Sequence, residues 1–562
     1  MGRKGIVLVI SLAVMAVLLI LTGSFFFSLI SESGFVNREK YIVQAVALAE
    51  AGASHARAEL NRLLNINLDP AVSVDQTFAF RNYYASNDSL EVLEDYLGFS
   101  TAGCPVGSCI GVSASPTQLR AQFPSSVIDG SYNAIVIVTQ NGNPERIIMG
   151  SDERYIFRYN YAIESTGSVT KTVPATAKTI RLSGGSFTVN IRRDNFAKFA
   201  LFTSHHRTPS GTTVWFTSNT NFSGPVFTNE RFSFAQNPGA HFTEEVAQHE
   251  TRARFYNNNN PVLLNADSNP PRDVPAFDKG FERGEDLLNL ESSTSATELR
   301  NEALGTLPLP GSNGIYIPND GASLTGGIYV RGNSVISAGV DANNLPVYTI
   351  TQGATTKVIT VDYANNQTLV NVGGDVQAYN GIPDGVDNQG TIIYGDGNIN
   401  GLSGTVQQDT SLTIASRDDI VITGNLVYQQ YDTSPTLNAA AYENILGILS
   451  WDGDVRIGTS APNNINIHGV VMAPHGIFTV DNYNYGSPRG TATLLGGAIT
   501  DYYGAFGTFS GSTEVSGYGR NFIYDGRVLE GKTPPYFPYM TGFTASVDGL
   551  SANLPVWQDE GL

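Results

Sequence analysis

Arg3-Lys-Gly-Ile-Val-Leu-Val-Ile-Ser-Leu12 opens an apolar stretch that runs without a charged residue from Ile6 to Ile30. Its 25 residues make a helix of about 37 Å at 1.5 Å per residue, enough to cross a ~30 Å hydrocarbon core with some tilt. Arg3 and Lys4 precede it, so the positive-inside bias keeps the tip in the cytoplasm and exports the residues beyond the run. The run is too long for a secretory signal peptide and lacks a small-x-small cleavage site at its far end. Helical character continues beyond it. Ala45, Leu48, Ala49, Ala53, Ala56, Leu60 and Leu64 recur among polar residues, and no Pro occurs before Pro70. A single helix over 6–64 is predicted, apolar all round below and amphipathic above. Such a helix is more than a tether: its upper half suits packing on a globular head, and its lower half suits burial against copies of itself.

Composition constrains the rest. The chain has 562 residues, 58 of them Gly, with 41% hydrophobic and only 15% charged. That hydrophobic content argues against disorder, and a single bilayer-length run argues against a polytopic membrane protein. Gly, Asn, Thr, Ser and Tyr prevail over Lys, Glu and Leu, which disfavours a mainly helical body. Six Lys plus Arg and four Asp plus Glu fall in residues 1–64, leaving the outer part at a net −20. Such a surface repels phosphate backbones at long range.

Strand-like runs come after the helix: Ala134-Ile-Val-Ile-Val-Thr, Tyr155-Ile-Phe-Arg-Tyr-Asn-Tyr-Ala-Ile, Lys178-Thr-Ile-Arg-Leu and Phe187-Thr-Val-Asn-Ile. Asn-Gly and Gly-Gly punctuation between them suits antiparallel hairpins, so residues 65–193 are predicted to form an α+β head. Residues 194–312 read as a β-rich linking region, irregular from about 251, with one short helix near Ala296–Ala303. From 313 to 562 short β segments recur with Gly, Asn or Asp at the corners, as in Gly327-Ile-Tyr-Val-Arg-Gly, Ile420-Val-Ile-Thr-Gly and Ile465-Asn-Ile-His-Gly. Stacked coils use this punctuation, so the expected body is a parallel β-helix, or solenoid, with a β-sandwich as the alternative.

Arg3-Lys-Gly5 followed by Ile6-Val-Leu-Val-Ile-Ser-Leu resembles the prepilin-peptidase site of type IV pilins, and Gln44-Ala-Val-Ala-Leu-Ala-Glu-Ala-Gly52 resembles the Ala-Glu-Ala-Gly signature of PilX-type minor pilins. The resemblance implies a leader of residues 1–5, cleavage between Gly5 and Ile6, and methylation of the new Ile6 amine. It further implies residence in a bacterial inner membrane with the body extracytoplasmic, then in a pilus or at the cell surface. The partners implied are other pilin subunits, the assembly machinery and the prepilin peptidase. Most major pilins carry Glu at the fifth mature position, where this chain has Ile10. A buried Glu costs about 2–3 kcal/mol and is read in that family as pairing with a neighbouring subunit's N-terminal amine. Its absence points to a tip-proximal or initiating subunit, as in tip-type pseudopilins. The outer stretches Gly224-Pro-Val-Phe-Thr-Asn, Gly469-Val-Val-Met-Ala-Pro and Pro534-Pro-Tyr-Phe-Pro resemble a large uncharacterised family that joins a PilX-type N-terminus to a β-rich domain. The whole is also similar to competence-type large minor pilins, for which contact with DNA is proposed.

Chemistry-bearing residues are sparse. Cys104 and Cys109 are the two cysteines, and the Pro-Val-Gly-Ser loop between them favours a local disulfide in an oxidising compartment. A half metal site is the alternative, with no further Cys to complete it. His205-His206-Arg207 reads as a surface loop, His241 with Glu244, Glu245 and His249 as a solvated helix, and His468 and His475 as turn residues. Pro383-Asp-Gly-Val-Asp and Gly395-Asp-Gly-Asn lack the closing Glu of a calcium loop and read as turns. The pairs Asp418-Asp419 and Asp452/Asp454, near Arg417 and Arg456, are the residues a β-helix lyase or hydrolase would use. They are also ordinary corner residues. Arg181, Arg192, Arg193, Lys198 and Arg207 are the single local basic stretch, which reads as strand-exposed arginine rather than a DNA contact. No enzyme activity, metal or cofactor is expected. The expected role is a filament component whose body serves adhesion or recognition of a surface, glycan or DNA, with DNA uptake as one such use. The alternative is a membrane-anchored β-helix protein that binds or degrades polysaccharide.

Overall fold

The computed structural model describes residues 3–67, 80–122, 129–149, 152–170, 175–217, 220–237, 239–266, 274–290, 296–431, 442–510, 513–529, 531–548 and 556–559. The chain divides into two compact units, one formed by residues 1–146, 154–192 and 544–562, the other by 147–153 and 193–543. No division falls at 312/313, and the last residues belong to the first unit.

The first unit is built on helix α1 (Arg3–Asn67). Ala45, Ala49, Ala53, Ala56, Leu60 and Leu64 are buried on it, a spacing of three and four that draws one stripe along the upper half. The stripe packs on an antiparallel sheet of Ser108–Ala114, Gly130–Gln140, Asp152–Val169 and Thr176–Asn195, to which Val556–Asp559 adds beside the last. Helix and sheet approach closely, which accounts for the alanines. A Cβ at Gly167 would meet the Ala45 carbonyl, and one at Gly52 would meet the Ser165 hydroxyl. In Asp152–Val169 the buried residues Tyr155, Phe157, Tyr159, Tyr161 and Ile163 alternate with partly exposed ones, as a strand with one covered face requires. His55 Nδ1 and Tyr132 Oη lie 2.8 Å apart across the helix–sheet contact. Cys104 and Cys109 are joined by a disulfide.

The second unit is a mixed sheet whose longest feature is a parallel ladder. Ile328–Arg331, Thr391–Asp396, Ser411–Ser416, Ile445–Ser450, Asn466–Ala473 and Pro488–Tyr502 pair in succession, each parallel to the last. The chain then returns from a much earlier position: Leu201–His205 pairs with Pro488–Tyr502, followed by Val226–Thr228, Val246–Gln248 and Phe281–Arg283. One row of side chains runs through all ten strands. It comprises Ile328, Ile393, Ile414, Ile448, Val471, Ala498, Leu201, Val226, Val246 and Phe281, and every member is buried. A second parallel ladder joins Ser334–Val340, Ile399–Val406, Ile420–Tyr428, Val455–Ile457 and Phe478–Val480. Phe222, Phe242 and Phe277 stack along a third, with ring centroids 5.9 and 5.3 Å apart.

Antiparallel pairing enters where the chain leaves the ladder. Ser334–Val340, Pro346–Gln352, Thr355–Asp362, Gln367–Val372 and Asp375–Asn380 form a meander of successive hairpins. Parallel pairing begins at Leu201, well before the expected onset at 313. The region read as an irregular insertion holds the helix Ala296–Leu304, and also the hairpin Ala253–Asn257/Asn260–Leu264 and the ladder strand Phe281–Arg283.

Candidate functional site

The lower half of α1 is its first candidate. From residue 11 to 40 every described side chain but Gly23 is exposed, and Ala45 is the first buried one. From residue 11 to 40 this amounts to about 45 Å of helix, half as long again as a bilayer core needs. The helix is long and apolar enough to cross a membrane. Its exposed apolar surface does not stop at Ile30: Phe35 is 64% and Val36 65% exposed, and Val43 is open as well. Exposed apolar area of this extent is what a protein or membrane contact covers. Gly5 and Ile6 lie within the helical backbone, and their side chains fall outside the described residues.

The paired carboxylates occupy one corner of the ladders. Asn333 Oδ1 accepts the Asn398 N–H (3.1 Å), Asn398 Oδ1 accepts Asp419 N–H (3.0 Å), Asp419 Oδ1 accepts Asp454 N–H (2.8 Å), and Asp454 Oδ1 accepts Ile477 N–H (3.0 Å). Each side chain accepts a backbone N–H from the turn beside the next ladder strand, which is why Asn and Asp recur there. Arg417 bridges Asp396 (2.7 Å) and Asp418 (3.1 Å), and Arg456 bridges Asp419 (2.8 Å) and Asp481 (3.1 Å). Burial raises the pKa of Asp454, against the N–H that it accepts. These groups hold the corner. From the two calcium-like segments, Asp384 lies just before a turn and Asp396 ends the strand Thr391–Asp396 ahead of the bend at Gly397, and no cluster of three or more His, Cys, Asp or Glu among the described residues could hold a metal ion.

Three histidine readings are corrected. His241 and His249 are not on a helix: His241–Phe242 and Val246–Gln248 are strands, because the apolar contacts of Phe242 and Val246 are made along parallel ladders. His241 pairs with Asp278 at 2.9 Å. His206 is no surface loop residue. It follows the strand Leu201–His205 and is buried against Phe216, Phe232 and Tyr503, with ring centroids 4.7, 4.8 and 5.4 Å away. Burial, reinforced by the Arg520 charge, lowers its pKa to about 3. His205, its neighbour, faces outward, stacks on Tyr502 at 4.4 Å and pairs with Asp501 at 2.9 Å. His468 lies inside the strand Asn466–Ala473 rather than at a turn; its Nδ1 accepts the Tyr428 N–H at 3.1 Å, and burial lowers its pKa to about 4. His475 does sit in a turn, beside Trp451 and Asp452.

The basic stretch is divided between the two units. Arg181 pairs with Glu164 (3.4 Å) and Arg207 with Glu230 (3.1 Å), so these cations meet carboxylates of their own unit. One buried group escaped the sequence reading. Arg527 and Asp525 form an ion pair at 2.6 Å, 3% and 4% exposed, and Arg527 also donates to Asn444 Oδ1 and the Tyr442 carbonyl at 3.2 Å each. Nothing in the local pattern of Asp525-Gly-Arg527, a common surface turn, marks it as interior.

Fold and surface together define a protein with a long, partly unpartnered N-terminal helix and a large β-rich body. Residues 154–249 match a family model described as a domain of unknown function (DUF4900). The competence-associated pilin ComZ from Thermus thermophilus is a structural match at 13% identity and a TM-score of 0.32, covering 93% of this chain and 97% of that one. At that score the likeness carries no argument about this chain. No curated protein matches it.

Proposed function

We propose that this chain is a minor, tip-proximal type IV pilin or pseudopilin-like subunit of PilX type, and that its body is a β-solenoid displayed for adhesion or recognition. The observation that carries the reading is the division of α1: an upper half seated on its own sheet through Ala45, Ala49, Ala53 and Ala56, and a lower half exposed well past bilayer length. A tether needs neither the extra length nor Phe35 and Val36 in solvent; a helix that packs among copies of itself needs both. The Gly5–Ile6 junction supplies the processing site, with the inner membrane as store and the prepilin peptidase and other pilins as partners. Ile10 leaves no carboxylate to offer a following subunit, which favours a tip position. Ten strands in parallel succession, cornered by Asn and Asp, support the solenoid. The role is structural, without catalysis.

N-terminal mass analysis of protein recovered from cells tests this. A mature chain that begins at methylated Ile6, and whose Gly5→Val variant stays uncleaved and outside filaments, is the expected result. Native protein that retains residues 1–5, indifferent to that substitution, would instead mark a membrane-anchored surface β-helix protein with no filament.

A further inference from the structure

On the antiparallel meander, the strands Thr355–Asp362, Gln367–Val372 and Asp375–Asn380 line a groove of about 250 Å³. Val372 pairs with Asp375, and Val370 with Gln377, so these four lie side by side on one face. Lys357 comes one residue before the Val358–Asn371 pair, abreast of Val372. Its strand and that of Asp375 are therefore two strand spacings apart, about 10 Å, with Val372 between. The groove thus has a cation at one wall, a carboxylate at the other and an apolar floor. Burial lowers the Lys357 pKa, and no carboxylate among the described residues offsets it. An ammonium so placed gains from a ligand that brings a negative charge. Tyr379 Oη donates to Gln377 Oε1 at 2.6 Å, which leaves the Gln377 amide nitrogen as a second donor.

Charge decides between ligand classes. A nucleic acid or other polyanion needs clustered cations, and here one lysine faces one aspartate on a body of net negative charge. A purely apolar ligand would leave the lysine desolvated and unpaired. The volume is at the small end for ligand sites, which suits a single ring. We propose that this groove binds a sugar acid. Its carboxylate would meet Lys357 and the Gln377 amide, its hydroxyls would donate to Asp375, and its apolar ring face would lie on Val370, Val372 and Tyr379. This rests on the recognition role proposed for the body, not on filament assembly; processing at Gly5 and binding here succeed or fail separately.

The test is calorimetric titration of the full chain in detergent with galacturonate and with galactose. Saturable galacturonate binding about tenfold or more tighter than galactose is expected, since the extra charge-assisted bonds are worth that much. Lys357→Gln should erase the preference, and Lys357→Arg should keep most of it. Gln377 is exposed, so Gln377→Ala leaves the fold intact and should weaken galacturonate alone even if position 357 tolerates no change. Absent galacturonate binding, equal affinity for galactose, or an undiminished preference in both Lys357→Gln and Gln377→Ala would overturn the assignment.

Discussion

Leu201 pairs in parallel with Ala498, so that strands from the early and late parts of the outer chain become neighbours in one ladder. The seam is tight. A Cβ at Gly497 would run into the carbonyl oxygen of Phe199, and backbone cannot move aside as a flexible side chain can. Gly497→Val is expected to cost about 1–3 kcal/mol through overpacking. Urea unfolding followed by tryptophan fluorescence should show a lowered midpoint; an unchanged one would mean that the seam is looser than described.

The Asp525–Arg527 pair makes a different kind of prediction. Both side chains are buried, and Arg527 has further partners in Asn444 and the Tyr442 carbonyl, with Tyr428 under its guanidinium at 5.2 Å. Asp525→Ala strands an arginine charge in the interior, at a cost of about 3–5 kcal/mol. Replacing both, as Asp525→Ala with Arg527→Met, removes that charge and should recover a good part of the loss. A double variant less stable than Asp525→Ala alone would refute the account.

Acid should destabilise the body through its two interior histidines. Burial holds His206 at about 3 and His468 at about 4, both below the ordinary value of 6.5. For a depressed pKa the unfolded chain binds the extra proton first. The neutral histidines therefore contribute full stability above about pH 6.5, and it is lost as the pH falls toward 4 for His468 and 3 for His206. Carboxylates also titrate in this range, so the measurement is a comparison: denaturation at pH 7, 5.5 and 4.5 for wild type and for His206→Phe. The variant should lose less stability on acidification. Parallel slopes would dissociate His206 from the effect.

How much of this could be read in advance depended on whether the signal was local. The long N-terminal helix and the Asn and Asp residues at the turns between ladder strands were legible, because an apolar run and Asn or Asp at turns act within a few residues. The burial of His206 beside half-exposed His205 has no local trace, since His206 follows the strand Leu201–His205 and is enclosed by Phe216, Phe232 and Tyr503 from elsewhere in the chain. The helix assigned around His241 was a misreading of a repeat. Asn221-Phe-x-x-x-Val-x-x-x-Glu230 and His241-Phe-x-x-x-Val-x-x-x-Glu250 are the same motif twenty residues apart, and Phe222/Phe242 and Val226/Val246 are its paired rungs. The Leu201–Ala498 pairing has no such trace: the strands share apolar character with many others, and only the global stacking selects the partner. The groove on the meander was equally hidden, since Lys357 and Asp375 come to face each other across Val372 only through hairpin register.

The last prediction separates the two halves of α1. Gly167 faces the backbone of Ala45 and Ala49, and any side chain there must lift the helix off its sheet. Gly167→Val is expected to cost about 1–3 kcal/mol and to expose the upper half of the helix, while the apolar lower half is untouched. Amide exchange should rise across residues 45–64, whose protection comes from sheet packing rather than from an isolated helix. Membrane fractionation should be unchanged, because the apolar run 6–30, long enough by itself to cross a bilayer, is untouched. If the variant exchanged no faster over 45–64, the small residues at that contact would not be what seats the helix. If it left the membrane, anchoring would depend on the upper half, and the division of labour on which the filament proposal stands would be wrong.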